Sequence, residues 1–217
     1  MIIAGIASIP AREQMLEKVI DSLTFQCNVV YVTLNAYDHV PEYFSKYDNV
    51  HYEFGDNSKG DAMKFAMADS TDGVYLGCDD DLLYPRGYVQ KMIEGVDKYN
   101  GLVSLHGRIY PIPVTDFRRW IGNYRCLGMV RSDTPVNLIG SGCCAFRTSR
   151  LKVTISDFQT RNMADLWLSK LAIEQEVPIW VLAHKRDYLQ YLKPENTIWQ
   201  NVKDFSVHTK ILQSFLK

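Results

Sequence analysis

Apolar and polar positions follow two different periods along the first half of the chain. Ile2 to Ala7 is a short apolar run, and Leu16, Val19, Ile20 and Leu23 then recur at i, i+3, i+4 and i+7. The first pattern predicts a strand and the second an amphipathic helix. Val29 to Leu34, β-branched and apolar, predicts a second strand, and His51 to Phe54 a third after a loop holding Pro41. Asp61 to Ala68 reads as a helix with Met63, Phe65, Ala66 and Met67 available for burial, and Gly73 to Gly77 as a strand. Arg86 to Lys98 predicts a helix with Val89, Met92, Ile93 and Val96 on one stripe, and Leu102 to Leu105 a further strand. Alternation of this kind indicates an α/β domain with a mostly parallel sheet.

Beyond His106 the pattern loosens. Pro111, Pro113, the Arg118-Arg119-Trp120 run and several glycines predict a long irregular stretch to about Gly142. Tyr110, Phe117, Trp120 and Tyr124 argue against simple disorder there, and long loops in compact domains usually serve function. A helix is expected from about Met163 to Gln175, a strand from Ile179 to Leu182, and a terminal helix from about Asp204. The 217 residues suit one large domain with a full core.

Charge changes this picture more than composition does. The net charge is -1, but it is unevenly spread. Met1 to Gly107 carries 8 Lys and Arg against 16 Asp and Glu, whereas Arg108 to Lys152 carries 8 against 2. An acidic first half thus precedes a basic middle, which is either a solvated face or a surface for an anionic ligand or polymer. No stretch approaches the roughly 20 apolar residues of a membrane span. The opening residues lack a basic leader region and read as a strand rather than a signal peptide. Five cysteines, an odd number without C-x-x-C spacing, suit free thiols in a reducing compartment, so a cytoplasmic location is expected.

The candidate chemistry lies in Gly73 to Pro85, where an apolar strand runs into Asp79, Asp80 and Asp81. In open α/β sheets ligands bind beyond the carboxyl ends of the strands. Three adjacent carboxylates repel unless a cation offsets them, and hard oxygen ligands suit Mg²⁺ or Mn²⁺ holding a diphosphate. The spacing of an EF-hand is missing, as are both glycine-rich phosphate loops, a G-x-S-x-G elbow and an H-E-x-x-H pair. Phosphates must then be held by metal and side chains.

Four stretches carry a resemblance: the turn Ala4 to Glu13, the segment Gly60 to Phe65, the acidic run Tyr75 to Pro85, and Gly140 to Leu151 followed by Asn162 to Arg186. In this order they resemble a GT-A-fold glycosyltransferase of the family 2-like type. The resemblance implies a Rossmann-like, mostly parallel sheet in a single domain over residues 1–217. Residues 1–107 would form the nucleotide-sugar half and 108–217 the acceptor side. It also implies a nucleotide-sugar donor, most readily a UDP-sugar, and Mn²⁺ or Mg²⁺. Asp79 and Asp81 frame a D-x-D and would hold the metal, with His184 as a late third ligand. Asp79 or Asp80 would reach the ribose or sugar. Ala7, Ser8, Pro10 and Arg12 would line the nucleotide pocket beside Asn35, with Asp56, Asp61 and Lys64 completing that side.

Asp165 would be the general base of an inverting transfer, in a position where the family often has Glu-Asp and this chain has Ala164-Asp165. Gly140 to Gly142 allows close approach of a sugar, or forms an ordinary turn. His106 also ends a strand. Trp120 and Trp167 can stack on a sugar or base, although Trp167 is more simply core. The acceptor is expected to be a glycan or lipid-linked glycan, with a hydroxymethylated base in DNA as the second choice. A nucleotidyltransferase and a non-catalytic nucleotide-sugar-binding module are the remaining alternatives.

Overall fold

The apolar runs of the first half become neighbouring parallel strands. In the computed structural model, which describes residues 1–195, 197, 200 and 202–217, these are β1 (Ile2–Ser8), β2 (Val29–Asn35), β3 (Val50–Gly55) and β4 (Val74–Asp79). They lie side by side in the order β3-β2-β1-β4. The chain therefore winds outward from β1 and then returns to its other side, which creates a crevice between β1 and β4 at their carboxyl ends. β6 (Leu102–Ser104), β9 (Thr134–Pro135), β11 (Cys143–Arg147) and β12 (Ile179–Val181) extend the sheet beyond β4 in the order β11-β6-β12-β9. β11 runs antiparallel between β4 and β6, and β9 antiparallel to β12 at the edge. The sheet is mixed but mostly parallel, and strands from both sides of Gly107 share it.

Period-two alternation directs the two faces to two cores. Val74, Leu76 and Cys78 of β4 pack with Leu16, Val19, Ile20 and Leu23 of α1 (Glu13–Leu23) and with Met92 and Val96 of α2 (Tyr88–Tyr99). Tyr75 of β4 and Phe146 of β11 face the other way. They meet Phe65, Phe158, Leu168 of α3 (Ala164–Glu174) and Leu212 of α4 (Ser206–Phe215). Phe65 and Phe158 stack with centroids 5.3 Å apart. Each such buried apolar side chain contributes about 1.5–3 kcal/mol.

Three local expectations are corrected by tertiary contacts. The helix expected over Asp61–Ala68 is a 3-10 turn, Gly60–Phe65. Its carbonyls are taken sideways: Thr33 Oγ1 donates to Met63 O at 3.1 Å and Tyr75 Oη to Lys64 O at 2.8 Å. Gly60 has φ +61°, and a Cβ there would overlap Asn162 Oδ1. α2 starts at Tyr88 rather than Arg86, where Gln26 Oε1 accepts the Gly87 amide at 3.1 Å. α4 starts at Ser206, because Asp204 precedes it and accepts the Ser206 amide at 2.9 Å.

The stretch read as irregular holds a second small sheet. β7 (Gly107–Ile109) pairs with both β8 (Gly122–Tyr124) and β10 (Leu138–Ile139). β11 was also invisible to pattern reading, since Cys143 to Phe146 are buried on both faces and show no alternation.

Candidate active site

The sheet gathers the polar residues at one edge. Ser8, Asn35 and Asp79 end β1, β2 and β4. Ser141 and Gly142 arrive at the same edge, because antiparallel β11 starts there with Cys143 opposite Cys78. Ala7 lies in register with Asp79, so the β1 turn and the acidic turn adjoin. Pro10 opens a 3-10 turn to Arg12, which brings that arginine over the acids.

Each of the three acids meets a protein cation. Asp79 Oδ1 pairs with Lys64 Nζ, and a Cβ at residue 142 would overlap the Asp79 carboxylate, so glycine is required there. Asp80 is buried and accepts from Ser8 Oγ at 2.7 Å and Arg12 Nη1 at 2.5 Å. Asp81 Oδ2 meets the same Arg12 nitrogen at 3.0 Å. Burial pushes the Asp80 carboxyl up, and Arg12 and Ser8 oppose that shift. The acidic turn is then pinned from behind. Tyr84 Oη donates to Gly142 O at 2.6 Å and accepts the Asp79 amide at 2.7 Å. β5 (Leu82–Leu83) pairs with β13 (Gln190–Tyr191), and the Leu192 amide donates to Asp81 O at 2.9 Å.

Facing this turn is Asp165, in the first turn of α3. Ser141 donates twice to its Oδ1, from the amide at 2.7 Å and from Oγ at 2.6 Å. Among the described residues Oδ2 has no hydrogen-bond donor. Lys64 joins the two sides: besides Asp79, its Nζ lies 3.4 Å from Ser141 Oγ. Lys64 is buried. Burial alone would lower its pKa, but Asp79 and Asp61 outweigh that and hold the ammonium charged. Asp61 is the group left over. Its Oδ1 is shut from solvent with no partner. Burial pushes its pKa up to about 7, Lys64 opposing and Asp165 and Asp79 adding to the rise.

Other predicted residues have quieter places. Asn35 Nδ2 donates to Gly60 O at 3.1 Å, while its buried Oδ1 lacks a partner. Asp56 is exposed and accepts the Ser58 amide at 2.8 Å, a local turn after β3. His184 does not match the expectation of a metal ligand. Its Nδ1 lies 2.7 Å from Leu182 O and its Nε2 3.2 Å from Arg125 O, so the buried ring faces main-chain carbonyls rather than the acids. Trp167 is core, as its pattern suggests. Trp120 lies under the Arg108 guanidinium, 4.9 Å from the ring centroid. Sequence reasoning passed over Ser141, Tyr84 and Tyr37, whose Oη donates to Ile9 O at 3.0 Å. Only the small residues around Ser141 gave any signal.

Do these residues suit a divalent cation? Asp79 and Asp81 supply hard oxygen atoms, and Mg²⁺ is commonly held by one or two carboxylates plus substrate phosphates. Asp81 bears the mark of uncompensated charge. Burial, then Asp79 and Asp80, push its pKa up to about 7 against the pull of Arg12 and Lys64. A cation beside it relieves that repulsion. The residues fit, provided phosphates complete the shell: among the described residues no group of three or more His, Cys, Asp or Glu forms a protein cage.

A mostly parallel sheet with acids at its switch point and an antiparallel strand closing the crevice is the GT-A arrangement. The sequence matches Glycosyl transferase family 2 over residues 9–154, about two thirds of the chain, and the protein belongs to that family. No curated protein matches it. Among solved structures it is similar to residues 1–349 of S. aureus TarS in complex with UDP-GlcNAc. That match has a TM-score of 0.63 and 15% identity, and covers 94% of this chain and 62% of that one. It is also similar to a 4-diphosphocytidyl-2C-methyl-D-erythritol synthase from Anaerococcus prevotii, with TM-score 0.59 and 12% identity, covering 93% of this chain and 96% of that one. At these identities the likeness is one of fold.

Proposed function

We propose that the protein is a metal-dependent, inverting glycosyltransferase that moves a sugar from a UDP-sugar to a hydroxyl of a glycan acceptor. The observation that carries this reading is the Asp165 carboxylate, fixed at Oδ1 by Ser141 and facing Asp79 across Lys64. Family membership and the UDP-GlcNAc bound to the similar TarS support a nucleotide-sugar donor.

Asp165 Oδ2 takes the proton of the acceptor hydroxyl as that oxygen attacks the anomeric carbon. The bond from that carbon to the diphosphate oxygen breaks on the opposite side, so the configuration inverts. Negative charge then grows on the leaving diphosphate. Arg12 and Lys64 stand beside it as fixed cations. Asp79 and Asp81 would hold the metal, which when bound supplies Lewis-acid stabilisation of that charge. Ala7, Ser8 and Pro10 would line the nucleotide side, beside Asn35 at the end of β2. Residues 1–107 form the donor half and 108–217 the acceptor half in this reading.

The test is a thermal-shift screen of UDP-, GDP- and CMP-sugars with and without Mn²⁺, followed by donor hydrolysis and transfer. A metal-dependent rise with a UDP-sugar is expected, because a ligand of the folded state raises apparent stability. No rise with any nucleotide sugar overturns the reading.

A further inference from the structure

A buried phenol ties the main chain where the two walls of the site meet. β4 ends at Asp79 and β11 begins at Cys143, so Gly142 stands just outside their ladder. Tyr84 Oη donates to Gly142 O at 2.6 Å and accepts the Asp79 amide at 2.7 Å. The Asp79 amide also donates to Gly142 O, at 3.0 Å. The hydroxyl thus closes a small ring of main-chain bonds. On one side of that ring the Asp79 carboxylate lies over Gly142 and fills the space a Cβ would need. On the other side Ser141, the adjoining residue, holds Asp165 Oδ1 through its amide and its hydroxyl. Asp79 and Asp165 are therefore joined through Tyr84 and two residues of backbone.

The phenol itself is held in place. Its ring is buried and packs against Tyr88 with centroids 4.7 Å apart, and the Tyr84 amide donates to Ser22 Oγ of α1 at 3.3 Å. Burial pushes the hydroxyl well above the usual tyrosine range, so it stays a neutral donor. Tyr88 supplies the contrast. It is equally buried, yet among the described residues its Oη has no hydrogen-bond partner. Two tyrosine rings fill the same core, and of the two it is the Tyr84 hydroxyl that reaches the site. We propose that Tyr84 is a positioning residue for the transfer: through Gly142 it fixes the spacing between Asp79 and the Ser141–Asp165 pair. This inference rests on the reading of Asp79 as a metal ligand and Asp165 as the base. Lys64 bridges the walls by charge and can change partners when a cation arrives. Tyr84 bridges them by neutral hydrogen bonds to main-chain groups, which a cation at the carboxylates does not displace.

The test compares Tyr84→Phe with Tyr88→Phe, since each removes one hydroxyl and keeps the ring. In Tyr84→Phe the Mn²⁺ concentration giving a half-maximal thermal shift with the UDP-sugar should rise roughly tenfold, as when a group that orients a metal ligand is lost. At saturating Mn²⁺ and donor, kcat for transfer should fall by roughly tenfold, the effect of one lost hydrogen bond. Exchange of the Ser141 amide with solvent, followed by NMR in the metal-free protein, should quicken by roughly tenfold, although that amide bonds to Asp165 and not to Tyr84. Tyr88→Phe should leave all three readings as in wild type. A lowered melting temperature in Tyr84→Phe with metal dependence, kcat and Ser141 exchange unchanged overturns the proposal and leaves Tyr84 a core residue. So does a Tyr84→Phe chain that fails to fold, because the hydroxyl is then a requirement of the core. An equal response from Tyr88→Phe overturns it too. If the wild-type protein shows no metal-dependent shift, the transferase reading fails, and the Ser141 exchange still decides whether Tyr84 ties the walls.

Discussion

The two walls of the candidate site manage negative charge in opposite ways. On the β1–β4 wall, Asp79, Asp80 and Asp81 are each set against a protein cation, Lys64 or Arg12. On the opposite wall, Asp165 is held by the amide and hydroxyl of Ser141, which carry no formal charge. A wall neutralised by cations can exchange one cation for another when a metal and a diphosphate arrive. A carboxylate held by neutral dipoles keeps its orientation when that cation arrives. In the proposed mechanism this difference assigns the acids at β4 to binding and the acid on α3 to proton transfer.

The sharpest way to break that contrast is to remove the base while leaving the other wall intact. Asp165→Asn should lower kcat for sugar transfer by roughly 10²–10⁴-fold, the usual worth of general-base catalysis. The Mn²⁺-dependent thermal shift with the UDP-sugar should persist, because no cation-paired residue is touched. Transfer at an unchanged rate would return Asp165 to a purely structural role at the helix start.

Next in size is Lys64, whose side chain touches both walls. Lys64→Met leaves Asp79 without its paired cation. Because the Asp79 side chain is 40% exposed, water offsets part of the roughly 3–5 kcal/mol lost on breaking a fully buried pair. A loss of about 2–3 kcal/mol is expected, which for a domain of this size lowers Tm by roughly 4–12 °C. Differential scanning calorimetry at neutral pH measures it. A melting point within about two degrees of wild type, roughly 1 kcal/mol or less, would show that the walls are independent.

Ser141→Ala tests orientation rather than charge. It removes one of the two hydrogen bonds to Asp165 Oδ1 and leaves the backbone amide in place. The expected loss in kcat is about tenfold, with KM for the donor unchanged. Ser141→Thr, which keeps a hydroxyl, should restore the rate. A change confined to the donor KM would move Ser141 to the binding wall.

How much of this was legible beforehand follows the same contrast. The β1–β4 wall is built by parallel strands with clear apolar runs, so its strands and its acids could be read directly from Ile2 to Asp81. The opposite wall depends on β11, whose residues are buried on both faces and so carry no period. Ser141 is a lone serine between glycines, and nothing local reveals that it meets a residue 24 positions later. His184 shows the reverse failure. A histidine after a strand suggests a ligand, but the ring faces the carbonyls of Leu182 and Arg125, and only the fold brings Arg125 near. The 3-10 turn at Gly60 likewise obeys Thr33, Tyr75 and Asn162 rather than its own helix propensity.

A last expected effect, on stability rather than rate, concerns Asp61, which belongs to neither wall. Its Oδ1 is buried without a donor, and its pKa is pushed up to about 7 by burial, with Asp165 and Asp79 adding to the rise and Lys64 opposing it. A folded-state pKa raised above the unfolded value means that the folded chain binds the extra proton more tightly. The resulting stability is fully present below about pH 4, the unfolded pKa, and is lost as pH rises through about 7. Ionised Asp61 therefore burdens the apo protein above neutrality. Asp61→Asn keeps the shape of the protonated acid and cannot ionise, so its stability relative to wild type should grow as pH rises from about 4 to 7 and then level off. The full difference is at most about 4 kcal/mol, and relaxation around the site will reduce it. Urea melts of both proteins across that range measure the difference directly. A gap that stays constant with pH would mean that Asp61 is ionised throughout, with Lys64 shared between it and Asp79 rather than committed to the β4 wall.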